Sequence, residues 1–134
     1  MRWDGTERGG FTSGDPWLPM GHDVAEPNVT RLRADPQSLL SLYRRLIQLR
    51  RAEPVLVAGE YAPMRSRNDV LLYKRADGGD ELLVALNITH EPRKLPWEGK
   101  GTLMLSSHLD RDPQRIADPV LLRPDEGIIV KLHR

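Results

Sequence analysis

The fold of this 134-residue chain is decided at residues 37–51, which read QSLLSLYRRLIQLRR. Plotted at 100° per residue, the apolar positions cover about half of the circumference of a helix and the polar positions cover the rest. Asp35 is the predicted N-cap and Pro36 the predicted first helical residue, and Pro54 stops the helix. We therefore predict a helix over residues 36–51 whose apolar arc contacts two neighbours. The apolar positions are Leu39, Leu40, Leu42, Tyr43, Leu46, Ile47 and Leu49.

Short β-like runs separated by turn residues follow this helix. The strongest hairpin signal is the Gly78-Gly79 pair between the apolar runs 70–75 and 82–88. Several short strands joined by Pro- and Gly-containing turns predict a small antiparallel β-sandwich. The predicted runs are 55–57, 61–64, 70–75, 82–88, 102–106, 120–122 and 128–133.

Residues 1–34, before the helix, have neither a helical nor a strand period and carry turn dipeptides throughout. We expect an irregular loop in which Phe11, Trp17 and Leu18 are anchors. So long a loop is uncommon inside a compact domain. We therefore expect that further chain packs beneath it. The predicted order is loop, helix and β-module, with a boundary near residues 52–54.

Composition excludes several classes of protein. The 20 basic and 19 acidic residues nearly cancel, so no charge pattern points to nucleic acid or an anionic membrane. The absence of cysteine excludes disulfides and thiolate metal sites. No apolar run approaches the roughly 20 residues of a membrane span, and no signal peptide is visible. We expect a cytoplasmic, bacterial-type protein without a nucleic-acid or membrane partner.

No constellation of residues in the chain predicts catalysis or metal binding. The four histidines share no ligand spacing. A glycosidase needs two carboxyl groups, one of them protonated by its environment, and acidic pairs in turns are expected to be solvated. A triad of Ser106, His108 and Asp110 is rejected, because adjacent strand residues point to opposite faces. We expect no catalytic residue, metal site or cofactor. The acidic pairs are Asp77/Asp80, Asp110/Asp112 and Asp125/Glu126, and the histidines are His22, His90, His108 and His133.

Two triplets, Asn28-Val29-Thr30 and Asn87-Ile88-Thr89, match the N-glycosylation acceptor pattern. Without a secretory signal we interpret both matches as accidental, with Asn87 in a strand or turn. Trp3 and Trp17 are expected to anchor the loop, although aromatic faces also stack on sugar rings. Trp97 is expected to pack within the β-module.

The order of the motifs resembles the end of α-amylase-family glycoside hydrolases, in the branch of α-glucosidases and oligo-1,6-glucosidases. Those enzymes carry the segments P-M-Q-W-D, G-F-T-x-G-x-P-W-L-P and N-V-x-x-Q-x-x-D-P-x-S-L-L. Residues 1–4, 10–19 and 28–40 correspond to them, while 82–89 and 121–132 match two strands of that family's C-terminal domain. The departures are Arg2 for glutamine, Arg31-Leu32-Arg33 for a glutamine-containing segment, and Asp125 for an aromatic residue.

The resemblance implies a mainly β chain with one long helix, divided into two parts. Residues 1–53 would be the remnant of a catalytic (β/α)8 barrel, with the rim loop at 1–34 and the final barrel helix at 36–51. Residues 54–134 would be the C-terminal antiparallel β-sandwich domain. Active sites of such barrels lie at the C-terminal rim. The family's catalytic carboxylates would lie upstream of Met1, and Trp3 and Asp4 would border the sugar-binding cleft once the barrel is present.

The first functional hypothesis is therefore the C-terminal fragment of a retaining α-glucosidase acting on short α-linked glucosides. Its partners would be the missing barrel and, in the full enzyme, an α-glucoside or oligosaccharide. The fragment would be non-catalytic and would stabilise the barrel. An exposed helix would favour self-association. The alternatives are a stand-alone carbohydrate-binding or structural β-sandwich module and, less favoured, a fragment of a trehalose synthase or sucrose isomerase.

Overall fold

A computed structural model describes residues 1–20, 27–65, 68–111 and 113–133. The chain divides into two compact units, residues 1–44 and residues 45–134. The helices are α1 (Val29–Ala34), α2 (Leu39–Ala52) and α3 (Val55–Ala58). The strands are β1 (Glu60–Pro63), β2 (Val70–Asp77), β3 (Asp80–Asn87), β4 (Arg93–Lys94), β5 (Lys100–Ser106), β6 (Gln114–Ala117), β7 (Leu121–Leu122) and β8 (Gly127–Leu132).

The strands form two antiparallel sheets in the second unit. The larger sheet has six strands in the order β1-β2-β3-β8-β5-β6, and the smaller sheet pairs β4 with β7. All pairings are antiparallel. The prediction of a mainly antiparallel β chain with one long helix is confirmed.

The predicted helix is present, but it begins later than the sequence indicated. α2 starts at Leu39, because the Ser38 hydroxyl oxygen accepts the Ser41 N–H at 3.2 Å and so caps the first turn. Asp35, the predicted cap, accepts the Gln37 N–H at 2.8 Å instead. The expectation of Asp35 as cap was wrong.

The apolar arc of α2 is half-buried at Leu40, Leu42, Leu46 and Leu49 and exposed along one edge. No residue of this helix is buried. Leu39, Tyr43 and Ile47 are 64%, 60% and 49% exposed. These three residues are spaced four apart and form one stripe on the helix surface. The predicted contact of this arc with two neighbours remains a prediction, since the described residues leave this stripe largely uncovered.

α1 interrupts the segment that was expected to be irregular up to residue 34. Asn28 caps this helix, since its Oδ1 accepts the Arg31 N–H at 3.0 Å. The Asn28 side chain is buried at 2% exposure. The prediction that residues 1–34 are irregular was therefore wrong for Val29–Ala34. This short helix has no apolar period in its sequence, and its N-cap is the local feature that supports it.

The Gly-Gly hairpin forms as predicted. Asp77 pairs with Asp80 across the turn, and the φ angles of Gly78 and Gly79 are 58° and 138°. A two-residue turn with positive φ at both positions matches the twist of the flanking strands, and glycine adopts it without steric cost. The turn places β2 and β3 in register over their whole length.

The core of the second unit is aliphatic with a single tryptophan. Trp97 is 9% exposed, which agrees with its predicted packing role. The core residues come from the larger sheet and from the segments around the smaller sheet. Its members are Val70, Leu72, Leu83, Ala85, Leu95, Trp97, Leu103, Val120, Leu122, Ile128 and Val130.

One predicted strand is a helix, and two short strands were not predicted. Residues 55–57 belong to α3, for which Pro54 supplies an αR N-cap at φ −55°. Gly59 ends this helix: its N–H donates to the Val55 carbonyl at 3.1 Å, and an added Cβ would lie 2.5 Å from that oxygen. β4 and β6 have no apolar alternation that would have predicted them.

Candidate functional site

The segment around Trp3 and Asp4 is a closed turn in the first unit. Both backbone N–H groups donate to the Gly9 carbonyl, at 2.7 Å from Trp3 and 3.3 Å from Asp4. The Trp3 carbonyl accepts the backbone N–H and the hydroxyl of Thr30, each at 2.9 Å. The turn is therefore attached to the first turn of α1, and this attachment fixes where Asp4 lies.

One oxygen of the Asp4 carboxylate is occupied and the other is open. Oδ1 accepts the Thr6 hydroxyl at 2.6 Å and the Thr6 N–H at 3.0 Å. These two bonds lower the pKa of Asp4, with the hydroxyl as the larger cause. Gly10 adopts φ 62°, and an added Cβ there would lie 2.5 Å from Oδ2. Glycine thus leaves space beside Oδ2, which accepts no hydrogen bond from the described residues.

This arrangement suits ligand binding better than proton transfer. A carboxylate with a lowered pKa is ionised at neutral pH and is a poor general acid. Its open oxygen is an acceptor for a hydroxyl group. Trp3, the preceding residue in the sequence, is 47% exposed, so part of its indole is accessible in the same turn.

The remainder of the loop is held by Arg8 and carries exposed apolar side chains. The Arg8 guanidinium donates to the Ser13 carbonyl and to Asp15 Oδ1, the latter at 2.8 Å. Trp17, Phe11 and Leu18, the expected anchors, are 91%, 59% and 58% exposed. They anchor nothing within the described residues.

A buried ionic cluster lies in the second unit, where the sequence had indicated a solvated turn. Glu126 is completely buried. Its Oε1 accepts the Ser106 hydroxyl at 2.6 Å and Arg123 Nη2 at 2.8 Å, and its Oε2 accepts the Arg123 N–H at 2.8 Å. Arg111 adds an ion pair at 3.5 Å. The expectation of a solvated Glu126 was wrong, because Arg123 and Ser106 satisfy its charge inside the fold.

Arg123 links this cluster to Asp110, which it contacts through both guanidinium nitrogens. Burial raises the pKa of Glu126, but the bonds from Arg123 and Ser106 outweigh burial and leave that pKa below its ordinary value. The Arg123 guanidinium lowers the pKa of Asp110 to about 2. The Glu126 carboxylate and both terminal nitrogens of Arg123 have partners within the fold, and only Arg123 Nε is buried without one among the described residues of the cluster, so the cluster is structural. The Ser106 hydroxyl donates to Glu126 in this cluster, which agrees with the rejection of a catalytic triad of Ser106, His108 and Asp110.

The histidines do not converge. His90 pairs with Asp125 at 2.8 Å, and His133 bonds the Thr102 hydroxyl at 3.0 Å. His22 and Asp112 lie outside the described residues. Within the described ranges, no group of three His, Cys, Asp or Glu side chains could hold a metal. Nor does any helix in those ranges have the length and apolar character needed to cross a membrane.

Asn87, the first residue of an N-x-T triplet, has a structural role. It is 3% exposed, and its Nδ2 donates to the Glu91 and Arg123 carbonyls at 2.7 and 2.8 Å. Its Oδ1 accepts the Thr89 hydroxyl at 2.8 Å. The triplet therefore closes the corner that follows β3.

Residues 1–59 match the family model of the α-amylase catalytic domain. The trehalose-6-phosphate hydrolase of Escherichia coli is 33% identical over 134 residues, covering 96% of this chain and 24% of that protein. The oligo-1,6-glucosidase of Parageobacillus thermoglucosidasius is 31% identical over 141 residues, covering 99% of this chain and 25% of that protein.

Among solved structures, the trehalulose synthase of Pseudomonas mesoacidophila matches with a TM-score of 0.83 and 34% identity over 98% of this chain. The match covers 24% of that chain. This chain spans about a quarter of the length of the curated relatives that it matches.

These matches identify the class as glycoside hydrolases. This chain belongs to the α-amylase family, and its curated relatives include several oligo-1,6-glucosidases. The predicted resemblance is confirmed.

Proposed function

We propose that this chain is the C-terminal part of a retaining α-glucosidase for short α-linked glucosides. It contributes no catalytic carboxylate and stabilises the (β/α)8 barrel that carries them. Residues 1–53 supply the rim loop and final helix of that barrel, and residues 54–134 form a C-terminal β-sandwich domain. The family match ends at residue 59, close to this boundary, which supports the division.

The observation that carries the proposal is what the first unit leaves uncovered. Its described residues include no buried apolar side chain, because the buried apolar residues begin at Val55. Burying an aliphatic side chain stabilises by roughly 1.5–3 kcal/mol. The stripe of Leu39 and Tyr43, which continues along α2 to Ile47 in the second unit, is a surface that a barrel would cover. Without that cover, the stripe favours self-association.

In the full enzyme, Trp3 and Asp4 border the cleft that binds the sugar. The support is chemical: an ionised acceptor with one open oxygen and a half-exposed tryptophan are consecutive residues of one turn. Sugar rings offer hydroxyl donors and an apolar C–H face, and this pair matches both. Their role is binding, since the bond-breaking carboxylates are supplied by the barrel.

A second candidate is a sucrose-isomerising enzyme of the same architecture. The structural similarity to a trehalulose synthase favours it, because that enzyme has been crystallised with sucrose as its substrate. Sucrose isomerisation and hydrolysis of a chromogenic α-glucoside, measured on the reconstituted enzyme, separate the two candidates.

Complementation tests the proposal. The polypeptide encoded in frame upstream of Met1 is expressed separately and mixed with this chain, and hydrolysis of a chromogenic α-glucoside is measured. We expect no activity from either part alone and activity from the mixture. A chain carrying Leu39→Asp and Ile47→Asp should fail to restore activity, whereas the matched polar-face variant Gln48→Asp should restore it. The absence of an encoded barrel, or a folded barrel that stays inactive, would contradict the proposal.

A further inference from the structure

We propose that the second unit carries an oligosaccharide-binding groove beside Trp97, in addition to the rim residues Trp3 and Asp4. The choice of an α-linked glucose oligomer as ligand rests on the proposed function. The groove has a volume of about 710 Å³. Small-molecule sites in proteins usually fall between roughly 300 and 1,000 Å³.

The apolar part of the groove comes from the segment 95–97 and from Met64. Leu95 is fully buried, and its carbonyl accepts the Trp97 N–H at 2.9 Å. Because Leu95 is fully buried and Trp97 nearly so, the accessible apolar surface is mainly that of Met64 and Pro96, which could contact the C–H face of a sugar ring.

The indole of Trp97 supplies an unused donor. The Trp97 residue is 9% exposed, and its Nε1–H is accessible to solvent and has no acceptor among the described residues. A ligand hydroxyl in the groove could therefore accept this donor. Gly99, at φ 158°, keeps the indole edge clear: an added Cβ would lie 2.7 Å from Cζ2 and 3.2 Å from Nε1.

Charged groups of both signs line the groove. Lys94 lies 3.8 Å from Asp118, and Lys74 pairs with Glu81 at 3.2 Å. Arg65 and Glu98 also line the groove and make no ion pair with any described residue. A sugar hydroxyl both donates and accepts, so it can use cations and carboxylates together. The cations Arg65, Lys74 and Lys94 outnumber the carboxylates of Glu98 and Asp118, so inorganic phosphate is the competing ligand that the test has to exclude.

The groove continues past the tryptophan. A second hollow of about 190 Å³ shares Lys74, Trp97 and Glu98 with the first and extends to Lys100 and His133. Two hollows that share these three lining residues suit a ligand of at least two linked rings. The chemistry therefore points to an oligosaccharide and not to a monosaccharide.

Titration of the 134-residue chain with isomaltotriose, maltotriose and glucose tests this site, followed by the Trp97 indole N–H resonance in nuclear magnetic resonance spectra. We expect a saturable shift with the trisaccharides and a much weaker effect of glucose. Glu98→Gln should weaken binding about tenfold, as for the loss of a charged hydrogen bond. The matched variant Glu60→Gln, on strand β1, should bind like the parent chain. Trp97→Phe identifies the resonance by its disappearance. Because that substitution also alters the core, the test of binding relies on Glu98→Gln.

Three results would overturn the proposal: no saturable shift, equal binding by Glu98→Gln and Glu60→Gln, or saturable binding of inorganic phosphate at the same resonance. Loss of binding in Asp4→Asn alone would assign the ligand to the rim instead. The titration uses this chain without a barrel, so its failure leaves the complementation result unaffected. A failed complementation likewise leaves the binding curve unaffected.

Discussion

Residues 1–44 and residues 45–134 bury different kinds of side chain. In the first unit, the buried residues among those described are Gly9, Asn28 and Ser38. In the second, they are mainly aliphatic and include Leu72, Leu83 and Leu122. Apolar burial is the dominant stabilising contribution to folding. The second unit therefore has its own source of stability, whereas polar caps and turns define the first unit without an apolar core of its own.

Matched Leu→Ala substitutions should give the largest contrast between the units. Leu83 is fully buried and Leu39 is 64% exposed. We expect Leu83→Ala to lower the free energy of unfolding by about 2–5 kcal/mol, because it removes packing and leaves a cavity. Leu39→Ala should change it by less than about 0.5 kcal/mol. Urea unfolding followed by circular dichroism measures both, and comparable losses would show that residue 39 is packed in solution.

The buried ionic cluster should give the next largest effect. Glu126→Gln removes the charge that Arg123 and Arg111 share, and we expect a loss of about 1.5–3 kcal/mol near neutral pH. Thermal unfolding of the parent and variant chains measures it. Asp110→Asn, on the more exposed side of Arg123, should cost less. Equal losses of unfolding free energy in the two variants would mean that the burial of Glu126 does not increase its contribution to stability.

The cost of Glu126→Gln should also depend on pH. The pKa of Glu126 is lower in the folded chain than its ordinary value of 4.5. Its contribution to stability is therefore complete above that value and is lost as the pH falls through the folded pKa. The difference in melting temperature between parent and variant should shrink in acid. A difference that is constant from pH 7 to pH 3 would contradict the assignment.

A smaller effect is expected at the start of α2. The Ser38 hydroxyl donates to the Leu32 carbonyl and accepts the Ser41 N–H, so Ser38→Ala removes both bonds. The expected cost is about 1 kcal/mol, seen as faster amide exchange in the first turn of the helix. Asp35→Ala should accelerate exchange less. The reverse order would restore Asp35 as the cap.

The smallest effect concerns Asp4. Thr6→Val removes the hydroxyl that is the larger cause of the lowered Asp4 pKa. The pKa of Asp4 should move back toward its ordinary value of 3.8, measured from the carboxyl carbon resonance. Thr6→Ser, which keeps the hydroxyl, is the control. An unchanged titration in Thr6→Val would show that this bond is not formed in solution.

The sequence predicted those elements that local chemistry determines. The 3.6-residue period of α2 and the Gly78-Gly79 turn are local signals, and both were correct. The strand predicted at residues 55–57 was wrong. Its β-branched residues favour a strand, but Pro54 is the N-cap of a short helix there. β4 was missed because it is only Arg93-Lys94, and β6 because Gln114-Arg115-Ile116-Ala117 has no apolar alternation; pairing with β7 and β5 defines them.

The candidate site was predictable only in part. Trp3 and Asp4 came from the family resemblance, while Thr6 and Gly10, which orient and uncover the carboxylate, were not considered. An Asp followed two residues later by Thr is a known local turn signal and could have indicated them. Burial of Glu126 had no such signal, because Ser106, its donor, lies twenty residues away in sequence.

Both N-x-T triplets begin with an asparagine that the fold encloses. Asn28 caps α1 at 2% exposure, and Asn87 closes the corner after β3 at 3% exposure. A glycan attached to Nδ2 of either residue before folding would need space that these corners do not offer, and at Asn87 it would also remove one of the two N–H donors to the Glu91 and Arg123 carbonyls. Production of this protein through a secretory pathway that glycosylates nascent chains would therefore divide it into a folded, unmodified population and a modified population that cannot close these corners.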